Sequence, residues 1–220
     1  GFVEAAGGLE TAGYVRTGHW VGSFASSAGQ RIDGEACEVG MAGIARSADG
    51  ADGVARFAPR TWGELDGAAL GARAAAKTRT QAAPVELPPG RYEVVLEPTA
   101  VADVLEALAG AGFNGQLVHE GRSFVRLGEQ QFDPSMTLVD DPLAVGLRYD
   151  GDGTPRQRLT LVEDGTAVAL TYDRRNAAEF GATSTGHGSE GRFSWGPAAR
   201  HLSLQPSGAP DDIAAEVDGP

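Results

Sequence analysis

Residues 94–108, VVLEPTAVADVLEAL, change their hydrophobic period halfway along. Val94–Leu96 continue an apolar run from Tyr92, and the run predicts a buried strand. Pro98 and Thr99 stop it, with Thr99 placed to cap a following helix. Val101, Val104, Leu105 and Leu108 then recur at helical spacing and share one face, with Asp103 and Glu106 on the other. Gly110 and Gly112 end the helix. Strand followed by helix, set among β-type segments, predicts an α+β fold. Glu97, Asp103 and Glu106 also pose a question of chemistry: an acid/base pair, a metal site, or scaffold.

Upstream, QAAPVELPPG at 81–90 carries three prolines and a closing glycine and reads as a domain boundary. Before it, short β-type runs are broken by glycine. In CEVGMAGIAR, Cys37, Val39 and Met41 share a face at period two. SADGADG at 47–53 predicts a hairpin turn into VARFAPR. An alanine-rich stretch from about Gly63 to Thr78 favours helix by propensity. Downstream, RQRLTLVEDGTAVALTYD at 156–173 is the clearest hairpin, turning at Asp164-Gly165. SFVRL, MTLVD, HLSLQP and the FSW run fit further short strands, and the tail SGAPDDIAAEVDGP is acidic and loosely held in this reading.

The 220 residues, 41% apolar and 22% charged, suffice for globular domains with a real core. A net charge of −12 without clustered Lys and Arg argues against binding a nucleic acid backbone. Cys37 is the only cysteine, so neither an intramolecular disulfide nor a cysteine zinc cluster is expected. No apolar run reaches the roughly 20 residues that cross a bilayer. GFVEAAGGLE lacks an initiator Met and a signal-peptide pattern and begins as if inside a strand, as an internal piece of a longer chain would.

The chemical motifs are incomplete. His119-Glu120 opens like H-E-x-x-H, but no second histidine follows at helical spacing, so a surface loop is the better reading. His19, His187 and His201 are remote from one another in sequence, and none has a carboxylate at ligand spacing. YDGDGTP at 149–155 resembles the start of a calcium loop through Asp150 and Asp152 but lacks its remaining ligands, and reads as a turn. STGHGSEG at 184–191 groups hydroxyls, a histidine and glycines that let a backbone approach a ligand closely; a flexible loop is the plainer alternative.

PPGRYEVVLEP, EGRSFVRLGEQQFDPSMTLVDDP, RQRLTLVEDG and ATSTGHG occur in this order, and the chain resembles the TldD/PmbA family of bacterial metallopeptidases over about residues 84–205. The wording is closest to actinobacterial members. The resemblance implies a cytoplasmic two-subunit zinc peptidase. One subunit is TldD-like and carries H-E-x-x-x-H; the other is TldE-like, also called PmbA, and lacks the metal site. Family members remove leader peptides from peptide natural products and degrade small or unfolded proteins. With Ala100-Val101 and Leu105-Glu106 aligned, the family's first histidine falls on Pro98, its glutamate on Thr99 and its last histidine on Asp103. Two of three essential groups are absent, so the resemblance implies the non-catalytic subunit, with no catalytic residue and no metal of its own.

The expectation is therefore part of a smaller α/β N-terminal domain over 1–82, then a β-rich, barrel-like C-terminal domain with a packed helix over 83–220 that lacks its last strands. Zinc is expected in the TldD-like partner alone. An extended peptide is the expected ligand, with Ser184, Thr185, Gly186 and His187 facing it. Neither nucleic acid nor membrane is an expected partner. The alternatives are a self-sufficient hydrolase with an unrecognised site, in which Asp103 works with a remote histidine, and a binding or assembly module with no peptidase partner.

Overall fold

The computed structural model describes residues 1–81, 84–189 and 196–205. The FSW run, the last two residues of STGHGSEG and the acidic tail lie outside the described residues. The chain forms two compact units. The first comprises Gly1–Trp20 and Cys37–Glu93, the second Val21–Ala36 and Val94–Pro220. Mixed helices and antiparallel sheets match the α+β expectation.

Helix α1 (Phe2–Ala5) precedes strands β1 (Glu10–Ala25), β2 (Arg31–Arg46) and β3 (Asp52–Phe57), which form a sheet in sequential order; the first unit holds β3, β1 up to Trp20 and β2 from Cys37 onward. The turn expected from SADGADG joins β2 to β3, closed by Ser47 N–H donating to the Ala51 carbonyl at 3.0 Å. Helix α2 (Gly67–Thr80) packs on β3. It starts later than Gly63 because the Asp66 carboxylate accepts from Ala68 N–H and Ala69 N–H, both at 2.9 Å, and so caps it there. The approach of β3 is close enough that a Cβ on Gly53 would lie 2.0 Å from the Ala74 carbonyl oxygen. Phe2, Ala45, Ala55, Leu70 and Ala74 form the core. Of the predicted period-two face, Val39 is buried and Met41 half-buried, while Cys37 is exposed.

In the second unit, helix α3 (Pro98–Ala111) buries Leu105 and Ala109 against a core of Phe113, Val125, Leu138, Leu161, Val162 and Leu170. Glu97, not Thr99, is its N-cap residue, because Pro98 at the first helical position brings a preset φ and needs no N–H partner there. The predicted strand over Tyr92–Leu96 does not form. Val94 is 66% exposed, and no strand pairs with this run among the described residues. Strand propensity describes a fit to a neighbouring strand, and without a neighbour it does not order a backbone.

Short helices α4 (Gly115–His119) and α5 (Arg174–Phe180) were not foreseen. SFVRL is irregular because side chains occupy the backbone groups a ladder would use. Ser123 Oγ donates to the Gly112 carbonyl and accepts from Val125 N–H, while Gln131 engages both Arg126 N–H and the Phe124 carbonyl. Strands β4 (Leu138–Asp140), β5 (Leu159–Glu163), β6 (Thr166–Ala167) and β7 (Leu202–Leu204) make an antiparallel sheet in the order β6-β5-β4-β7. MTLVD and HLSLQP thus supply strands as expected. The hairpin of β5 and β6 turns at Asp164 and Gly165, both at positive φ (47° and 78°).

Candidate functional site

The inner strand β4 ends on Asp140, whose side chain is wholly buried. A buried carboxylate needs several donors to offset lost hydration. Three meet it. Oδ1 accepts from Arg200 N–H at 2.9 Å and His201 N–H at 2.6 Å, and Oδ2 lies 2.9 Å from His187 Nε2. Burial pushes the Asp140 carboxyl up, but the hydrogen bond from His187 and those from the backbone outweigh it and hold the group below its ordinary range. The carboxylate can only accept, so His187 Nε2 carries the proton.

The other imidazole nitrogen, Nδ1, sits 2.8 Å from Thr185 Oγ1. That hydroxyl also accepts from Tyr172 N–H at 2.8 Å and lies 3.1 Å from the Tyr172 carbonyl. Both charge states of His187 can therefore be satisfied. A neutral ring accepts from the Thr185 hydroxyl; an imidazolium donates to Oγ1, and the hydroxyl turns to the Tyr172 carbonyl. The order hydroxyl, imidazole, carboxylate is that of a nucleophilic triad. Here the imidazole is fully buried and Thr185 Oγ1 is engaged by the backbone, so the array is an anchor rather than a nucleophile.

A second carboxylate holds the same loop. Asp150, in the YDGDGTP turn, is 1% exposed. Its Oδ1 accepts from Asp152 N–H at 3.0 Å and Thr154 N–H at 2.8 Å, and its Oδ2 accepts from Gly188 N–H at 2.7 Å. Gly151 N–H donates in return to the Gly188 carbonyl, and Arg156 Nη1 to the Gly186 carbonyl. Gly186 has φ 71°, and a Cβ there would meet the Pro155 carbonyl oxygen at 2.4 Å. Only glycine suits that position. The turn that imitated a calcium loop spends its carboxylate on backbone N–H groups.

The four residues expected to face a peptide thus lie on one loop with graded exposure: Ser184 and Thr185 are half-buried, Gly186 and His187 buried. Pro98, Thr99 and Asp103 stand in the first turns of α3, with Pro98 and Asp103 exposed. As a donor set they do not fit zinc, since Pro98 has no side-chain ligand and Thr99 no basic group. No group of three or more His, Cys, Asp or Glu among the described residues is placed to hold a metal ion. His119 ends α4 on the surface, its ring stacked on Phe180 at 4.1 Å and its Nε2 3.0 Å from Tyr172 Oη. Among the described residues no helix is long and apolar enough to cross a membrane.

Asp140 and the role of Asp150 were missed from sequence. The available signal was a carboxylate directly after the apolar pair Leu138-Val139, where an inward strand position demands partners. His201 joins them through its backbone, and burial pushes its imidazole below the ordinary range.

No curated protein matches the chain. Among solved structures, the chain is similar to a candidate modulator of a DNA gyrase from Thermotoga maritima, at 24% identity and a TM-score of 0.69, covering 82% of this chain and 43% of that one. A candidate modulator of DNA gyrase from Bacteroides thetaiotaomicron aligns at 18% identity and 0.72, covering 93% and 47%. TldE from Thermococcus kodakarensis aligns at 22% and 0.68, covering 87% and 46%. The chain thus spans less than half the length of each, and these likenesses speak to the fold. The family profile of the PmbA/TldA metallopeptidase C-terminal domain matches residues 89–219. By that match, over more than half its length, the chain belongs to the PmbA/TldD metallopeptidase family.

Proposed function

We propose that this chain is the TldE-like, non-catalytic partner of a TldD-like zinc peptidase in the cytoplasm. It completes the surface that holds an extended peptide for cleavage, in leader-peptide removal or in degradation of small or unfolded proteins. What supports this reading is the start of α3, which holds Pro98 and Thr99 where the family resemblance, aligned on Ala100-Val101 and Leu105-Glu106, implies a histidine and a glutamate in the catalytic subunit. A proline side chain cannot ligate zinc, and a threonine cannot serve as the general base of a metallopeptidase. Asp103 on the exposed face of the helix adds one carboxylate, too little for a site. The loop carrying Ser184–His187 is the peptide-facing element in this reading, and strand addition is the mode that suits an extended ligand.

The experiment is co-purification with the TldD-like protein encoded nearest to it. A stable complex that cleaves an unstructured peptide, with activity retained in Asp103→Ala, is the expected outcome. Failure of any such neighbour to bind would favour an assembly module without a peptidase partner.

A further inference from the structure

We propose that Asp140 and Asp150 are positioning residues that set the 184–188 loop in one conformation before a peptide arrives. The inference rests on the reading of that loop as peptide-facing. Each carboxylate sits on a different segment, β4 for Asp140 and the 149–155 turn for Asp150, and each gathers three N–H donors. Between them they take hold of the loop at adjacent residues, His187 through its ring and Gly188 through its backbone. Thr185 fixes the near end on Tyr172. A loop held at three points within four residues loses its conformational entropy on folding rather than on binding, which favours ligand capture.

The two carboxylates differ in how they tolerate an amide. Asn at 140 can keep its oxygen on Arg200 N–H and His201 N–H and turn its NH2 to His187. The ring then adapts by carrying its proton on Nδ1, which donates a hydrogen bond to Thr185 Oγ1, while the Thr185 hydroxyl turns to donate to the Tyr172 carbonyl. Asn at 150 has no such relief: its NH2 would face Gly188 N–H, donor against donor.

The test uses the 220-residue chain with ¹⁵N-labelled histidine and backbone hydrogen exchange. Wild type should show His187 protonated at Nε2, and Asp140→Asn should convert it to the Nδ1–H form with loop exchange changed less than about threefold. Asp150→Asn should keep the Nε2–H form and speed exchange over 184–188 at least about tenfold, with β4 and β5 unaffected. Should Asp150→Asn fail to fold, Gly188→Ala replaces it: its Cβ would lie 2.8 Å from Asp150 Oδ2, pushing the loop off an intact carboxylate. In a mixture with a TldD-like chain, Asp150→Asn should raise KM for an unstructured decapeptide about tenfold with kcat within twofold. Wild-type exchange in both variants, no tautomer change in Asp140→Asn, or an unmoved KM despite a loosened loop would overturn the inference. A wild-type mixture without activity defeats the partner reading instead, and the exchange and tautomer results, which need no partner, still decide this one.

Discussion

His187 Nε2 lies 2.9 Å from Asp140 Oδ2, across 47 residues of sequence, and neither side chain is exposed. This contact ties the histidine of STGHG to β4, an inner strand of the four-stranded sheet. It also turns a residue type usually read as chemistry into a fastening.

Asp140→Ala should be the most damaging substitution in this unit. It strands His187 Nε2–H and two backbone N–H groups in the interior, and breaking a buried pair of this kind costs about 3–5 kcal/mol. Asp140→Asn, which the ring can accommodate by changing tautomer, should cost clearly less. Thermal melts of the two variants check the ranking.

Gly110→Ala should move stability the other way. The residue lies within α3, and nothing stands within 4 Å of an added Cβ. Relative to glycine, alanine in a helix interior gains up to about 1 kcal/mol. The same melts should show a higher Tm; a lower one would mean the end of α3 is not helical.

Stability should fall in acid in two stages. Burial holds the His201 imidazole below its ordinary range, so the unfolded chain takes up its proton first. That contribution is present above the unfolded value, about 6.5, and is lost as pH falls below it. The Asp140 carboxyl, also lowered, adds a second loss as pH falls below about 4, through its folded range. His201→Gln should flatten the first stage and leave the second, read from Tm between pH 7.5 and 3.

Much of this architecture was legible from periodicity and turn chemistry. Asp164-Gly165 set the β5–β6 hairpin, the Asp- and Gly-rich turn at 47–53 set β2–β3, and the apolar spacing from Val101 to Leu108 set α3. Failures occurred where side chains or missing neighbours overrode local preference. Gln131 and Ser123 claim the backbone of SFVRL, Asp66 relocates the start of α2, and Val94–Leu96 have strand composition with no strand paired to them among the described residues. The loop 184–188 could be singled out by composition, but not its two carboxylates. Asp140 is far away in sequence, and Asp150 wore the pattern of a cation loop. Hydrogen bonds spanning 38 and 47 residues leave no local period to read.

The most direct test of the partner-subunit account is the zinc content and peptidase activity of the chain alone and mixed with a TldD-like protein. The account predicts no stoichiometric zinc and no cleavage by the chain alone, and cleavage in the mixture that persists in Asp103→Ala. One zinc bound per isolated chain, or cleavage of a peptide by the chain without a partner, would contradict it.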